Sequence, residues 1–243
     1  NTAIFSTFFH ARNAMSNAFQ LHIADMDPAR YGESLTFWRK NVSGDKTGTI
    51  LGKPFSYWEY QGKKHNILGG SFVGQQVGQV GLPGVRQAFE FNRKIGQNIE
   101  NVGRMALFMD RIQKGLSPAE AARDVKKFLF DYDELTDFER QFMRRIAPFY
   151  TWVRKNVPLQ LEMMMKAPKK YQHVAKLKDA LSGGETNQNN PDWWRNQDVW
   201  EIKGGKFAVQ VGLPYADLNL FGGAGPAGQL GILGSAINYA NNY

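Results

Sequence analysis

Apolar side chains return every three or four residues through several stretches of this chain, and in one short stretch they alternate with polar ones. Ile95, Ile99, Val102, Met105, Met109 and Ile112 make the clearest stripe. It predicts a helix from about Asn92 to Lys114, with Gly115 at the C′ position, where the left-handed conformation suits glycine. Near the start, Ile4, Phe5, Phe8, Met15, Phe19 and Ile23 approach the same spacing. A following helix is expected to take Asp27 as N-cap and Pro28 as its first residue, so that residues 1–43 form N-terminal helices.

Start signals divide the rest of the helical region, 92–182. In Ser117-Pro118-Ala119-Glu120 the serine can accept from the amide of Glu120 while the glutamate reaches back, opening a helix through Val125 and Leu129. The same device recurs from Thr136 to Glu139, and that helix should stop before Pro148. Short links between these helices favour antiparallel neighbours. Pro158 falls inside or at the start of the run LQLEMMMKA, and Pro168 opens a last basic helix ending near Gly183 and Gly184.

Between Gly44 and Gly84 the periodicity dissolves, and residues 44–91 read as a glycine-rich arm or loop. Gly70, Gly74 and Gly78 recur every four residues where no group ionises between Asn66 and Val85. On a helix they would leave a bare stripe for close backbone packing, in an assembly or a membrane. Three nearby glutamines and a helix cost of about 1 kcal/mol per glycine favour a flexible loop. Toward the C-terminal end, VWEIKGGKFAVQV alternates on both sides of Gly204-Gly205, the pattern of a hairpin with a two-residue turn. It lies in region 183–243, between a polar linker and a tail from Leu218 to Tyr243 that carries no charge. The fold class expected is mainly α: short-linked helices, long irregular Gly-rich arms and one small β-hairpin near the C-terminal end.

Composition agrees with a folded chain. With 42% hydrophobic and 21% charged residues, the 243-residue protein is too apolar for a disordered tail and too polar for a multi-span membrane protein. Without cysteine, thiol chemistry and disulfides are excluded. The opening Asn1 without a basic stretch behind it is expected of a piece of a longer polypeptide.

Charge narrows the chemistry. The net charge is +8, yet residues 140–178 hold ten basic side chains and one acid, Glu162. Residues 110–139 carry eight acids and five bases, so an acidic segment abuts a basic one. The leading reading is that acids sit at helix starts and bases at helix ends, as the macrodipole favours; the alternative is contact with DNA or anionic lipid. The candidate polyanion-facing residues are Arg140, Arg144, Arg145, Arg154, Lys155, Lys166, Lys169 and Lys170. Candidate packing residues are Phe149, Tyr150, Trp152, Met163, Met164 and Met165, with Gly70, Gly74 and Gly78. Aromatics of this kind, Trp193, Trp194 and Trp200 included, anchor elements on their neighbours more often than they stack on bases.

Signatures of catalysis are missing. The four histidines His10, His22, His65 and His173 are scattered, and no nucleophile elbow or Walker loop occurs. DYDELTDFE is better explained by helix-start chemistry than as an acid–base dyad. We therefore expect no enzyme, no cofactor and no metal.

The segments FHARNAMSNAF, NIENVGRMALFMDRIQKGLSPAEAARDVKKFLFDYDELTDFERQFMRRIAPFYTWVRKNVPLQLEMMM and WEIKGGKFAVQVGLPYADL, within about residues 5–220, together resemble a region of very large tailed-phage virion proteins. These are the polyvalent internal or DNA-ejection proteins, stored in the capsid or tail and passed into the host. The resemblance implies a structural, mostly helical segment that packs with copies of itself or with the portal or tail and helps form a conduit for the genome. It implies a place in the virion and, during infection, at the host envelope, with DNA or host membrane as further partners. It assigns no catalytic residue. Alternative readings are a helical nucleic-acid-binding module and a membrane-active segment using the Gly70 to Gly78 stripe.

Overall fold

The computed structural model describes residues 7–68, 85–130, 150–182, 199–202, 207–210 and 213–215. They form two compact units, Asn1–Thr151 and Trp152–Tyr243. The architecture is mainly helical, as the sequence predicts. The first unit contains α1 (Thr7–Ile23), α2 (Arg30–Ser43), a two-residue strand pair β1 (Thr49–Ile50) and β2 (Lys53–Pro54), α3 (Phe55–Lys64), α4 (Val85–Gln113) and α5 (Pro118–Phe128). Helices α6 (Tyr150–Lys166) and α7 (Pro168–Ser182) and strands β3 (Val199–Ile202) and β4 (Phe207–Gln210) follow.

Helix α4 is the axis of the first unit. Every residue from Asn101 to Arg111 is buried, on all sides of the helix, because α1, α2 and α5 pack around it. Gly103 lets Leu21 of α1 come within 3.5 Å of where a Cβ would stand. Ser34 of α2 donates to the Val102 carbonyl at 2.7 Å, tying the two helices in a buried position. Trp58 and Phe108 meet edge to face at 6.4 Å, and Phe37 stacks on Phe55 at 4.8 Å, joining α2, α3 and α4 through one aromatic cluster.

Two buried arginines on α4, two turns apart, hold the ends of neighbouring helices. Arg104, fully buried, donates to Glu100 Oε1 at 3.0 Å and to the Leu129 and Phe130 carbonyls that end α5. Arg111 donates to Asp110 Oδ2 at 2.7 Å, to Asp124 of α5, and to the Ala24 carbonyl just past α1 at 2.6 Å. Asp110 accepts in addition from the Asp27 amide at 3.1 Å and from Lys114 at 2.9 Å. Charge is tolerated at this depth because each group meets opposite charge or an orphan helix-end carbonyl.

The helix ends explain where sequence and structure agree. Ser117 and Glu120 form the reciprocal capping box with Pro118 at the first position, and Ser117 holds the Glu120 carboxyl below its ordinary range. Gly115 has φ +91°, with Leu116 donating to the Arg111 carbonyl and Gly115 to that of Ile112: a Schellman cap, as expected. The same pair of bonds ends α1 at Asp25 (φ +58°) and α3 at Asn66 (φ +53°). Asp and Asn enter the left-handed region more readily than other non-glycine residues, so these caps carry no glycine signal.

Three expectations are corrected. Residues 44–91 are not an arm throughout, for Phe55, Trp58 and Gly62 make the buried stripe of α3, and Leu51-Gly52, both at positive φ, turn β1 into β2. Helix α4 begins at Val85 rather than near Asn92. Helix α2 begins at Arg30 with Ala29 at its N-cap, because Asp27 instead stabilises a preceding turn: its carboxylate accepts from the Ala29 amide and its carbonyl from the Arg30 amide.

The hairpin is present, antiparallel, with Val199 opposite Gln210 and Ile202 opposite Phe207. That register is centred between residues 204 and 205. The Gly204-Gly205 turn, the helix from Thr136, the Gly70 to Gly78 stripe, Trp193 and Trp194, and the tail lie outside the described residues.

The buried ion network makes a stability prediction. Arg104→Ala leaves Glu100 and two helix-end carbonyls without their cation, and is expected to cost about 3–5 kcal/mol. Urea denaturation followed by circular dichroism checks it; a loss below about 1 kcal/mol would mean that the guanidinium is not holding α5.

A second prediction concerns pH. The Asp45 carboxyl, held by Lys40 at 2.8 Å and by Thr47, is lowered from 3.8 to about 2. A depressed carboxylate stabilises the fold above its unfolded value, so the contribution is full above about pH 4 and disappears as the pH falls through about 2. Carbon NMR titration should find Asp45 at about 2 in the folded protein, and Lys40→Met should raise it.

Candidate polyanion-binding surface

Helices α6 and α7 carry the described part of the basic segment: seven Lys and Arg against Glu162 and Asp179 over residues 150–182, a net of +5. Only Ala167 separates them. Proline disfavours helical geometry in its predecessor and cannot donate, so Pro168 ends one helix at Ala167 and begins the next at its own position.

The break turns α7 back toward α6. In an unbroken helix residues 160 and 171 would stand about 16 Å apart, yet the Tyr171 hydroxyl donates to Gln160 Oε1 at 2.8 Å. That bond belongs to a buried relay. Gln160 Nε2 donates to Asn156 Oδ1 at 2.9 Å, and Asn156 Nδ2 to the Pro214 carbonyl at 2.6 Å. Burial pushes the Tyr171 hydroxyl well above its ordinary pKa, and its ring meets Tyr215 edge to face at 6.3 Å. The relay joins α6, α7 and the Leu213–Tyr215 segment, so the outer surface of the pair rests on a defined frame.

Outward from that frame, the spacing of α7 places Lys169, His173 and Lys176 on one face, and all three are exposed. Lys169 belongs to the sequence-predicted set; His173 and Lys176 do not, although their intervals of four and three residues in PKKYQHVAK carry the signal. The other predicted residues do not join this stripe. Arg154 is exposed on α6, Lys155 and Lys170 are half-buried, and Lys166 is paired with Glu162 at 2.7 Å. Arg140, Arg144, Arg145 and Phe149 lie outside the described residues.

The packing group separates as well. Met163 is buried, Met164 half-buried, and Met165 is 79% exposed. Successive helical positions differ by about 100°, so three neighbouring methionines cannot share a face. Trp152 is half-buried on the same side of α6 as Asn156 and Met163. Tyr150 is the first residue of α6.

Among the described residues no group of three or more His, Asp or Glu is placed to hold a metal ion. No described helix is long and apolar enough to cross a membrane. Comparison with protein-family models, curated proteins and solved structures finds no match to this chain.

The relay can be tested by itself. Asn156→Ala leaves the Pro214 carbonyl and the Gln160 amide without a partner and should cost about 1–3 kcal/mol, read as a lowered urea midpoint. An unchanged midpoint would show that the relay does not hold the helix pair.

Proposed function

We propose that this chain is a structural, non-enzymatic segment of a tailed-phage virion protein, part of an internal core or ejection conduit, whose α6–α7 surface faces the genome it helps deliver. The observation that carries the reading is the exposed Lys169, His173 and Lys176 stripe on a helix pair fixed from beneath by a buried relay. Such a surface neutralises phosphates without reading base edges, which suits a protein that must pass any sequence. The resemblance to polyvalent ejection proteins supplies the setting, and the mainly helical architecture is of the kind that resemblance implies. Its partners on this reading are copies of itself, the portal or tail, and DNA.

A second reading, a free-standing nucleic-acid-binding module, draws on the same stripe. Assembly separates the two. Phage particles containing the chain, imaged by cryo-electron microscopy, should show several copies around the portal or tail axis; a chain found only as a free monomer overturns the virion reading.

The surface itself makes a quantitative prediction. Changing Lys169 and Lys176 together to Gln should lower the slope of log affinity against log salt on duplex DNA by about 1.8, as two phosphate contacts are lost. An unaltered slope removes α7 from the interface.

A further inference from the structure

A different surface, on α3 in the first unit, combines an exposed ring, Tyr60, and a half-buried one, Tyr57, with cations. Phe55, Trp58 and Gly62 point into the core, so helical geometry turns Tyr57, Tyr60 and Lys64 to the opposite side. Lys53 stands beside them just before the helix. Its ammonium lies 4.6 Å from the centre of the Tyr57 ring, and that of Lys64 lies 5.7 Å from the Tyr60 ring. Tyr60 is 60% exposed, an unusual position for a large ring on a short helix that buries its other face completely.

The charges around the stripe are arranged unequally. Residues 46–64 carry Lys46, Lys53, Lys63 and Lys64 against Glu59, a net of +3. Glu59 takes both Lys46 and Lys63 at 2.6 and 2.7 Å, off to one side of the stripe. Lys53 and Lys64 make no ion pair among the described residues, and each faces a tyrosine ring. Lys126 of α5 lies close enough to His65 to help burial and Lys64 hold down the imidazole pKa, so the positive region continues past the end of α3.

We propose that Lys53, Tyr57, Tyr60 and Lys64 form a binding site for single-stranded nucleic acid, with bases stacked on the tyrosines and the two lysines on the flanking phosphates. A base has a π face to offer whatever its identity, and a ring already faced by a cation accepts it as the ammonium moves to the phosphate. A duplex keeps its bases stacked on one another and meets only the lysines. The charge complementarity holds for any polyanion; the rings, the exposed Tyr60 above all, select one that carries flat aromatic groups. This site is independent of the α7 stripe and of the virion reading.

The test uses the full chain and fluorescence anisotropy with a labelled 20-nucleotide oligo-dT, a duplex of the same length, and polyglutamate as competitor. Tyr60→Ala should weaken oligo-dT binding about tenfold and leave duplex binding unchanged, while Tyr60→Trp should retain the affinity. Lys53 and Lys64 changed together to Gln should lower the salt slope on oligo-dT by about 1.4. The same losses should appear when Lys169 and Lys176 are already Gln, which separates this site from α7. The proposal is overturned if Tyr60→Ala binds oligo-dT as the parent does. It is overturned equally if Tyr60→Trp loses affinity as Tyr60→Ala does, or if polyglutamate and oligo-dT compete with the same affinity and the same response to Tyr60.

Discussion

A cation without water must have its partners built around it, and the first unit is organised by that requirement at Arg104 and Arg111. Both project from the stretch of α4 that is buried on every side. Their partners are the carbonyls at the ends of α1 and α5, groups that a helix cannot satisfy internally, together with the carboxylates of Glu100 and Asp110 on α4 and Asp124 on α5. The guanidinium and the helix ends therefore solve one another's problem: the arginine gains acceptors in the core, and the helix termini gain donors where water does not reach. Position along α4 is thereby specified more sharply than apolar packing alone would specify it, since a slip of one residue would leave an ion and two carbonyls unpaired. Aromatic contacts from Phe37, Phe55 and Trp58 fill the remaining volume.

The second unit uses neutral groups for a similar purpose. Asn156 and Gln160 sit among Trp152, Leu159 and Met163 on the inner side of α6, where apolar residues would bury more cheaply. Their amides hand hydrogen bonds from Tyr171 to the Pro214 carbonyl, so a helix broken by Pro168 closes on itself in one arrangement. Pro158, inside α6, lies on the exposed side of the helix and offers no amide to the carbonyl four residues before it.

Sorting the cations by burial changes what the net charge of +8 means. Arg104 and Arg111 are structural ions and contribute nothing to an outer surface. Lys169 and Lys176 with His173 on α7, and Lys64 on α3, are exposed on helices whose other sides are anchored, with the half-buried Lys53 just before α3. One surface offers charge alone, suited to the regular phosphates of a duplex. The other alternates charge with rings, suited to unstacked bases. In a genome-delivery segment these would be contacts to two states of one polymer.

Much of this was legible in the residues themselves. The stripe from Ile95 to Ile112, the capping box at Ser117, the αL glycine at 115 and the alternation around Gly204-Gly205 depend on neighbours in sequence, and the structure agrees with each of them that it describes. What escaped had a tertiary cause. Helix α3 is short and set among glycines, and its three buried residues become a core face because Phe37, Met105 and Phe108 stand against them. Asp25 and Asn66 cap helices in a conformation that glycine usually signals, supported by the burial of Met26 and Ile67 behind them. Sequence by itself determined the helix ends that carry a local signal, the start at Ser117 and the stop at Gly115 among them, because caps and periodicity act within a few residues. The tertiary structure alone decided which cations face inward and which face outward, because that depends on acceptors brought together from distant parts of the chain.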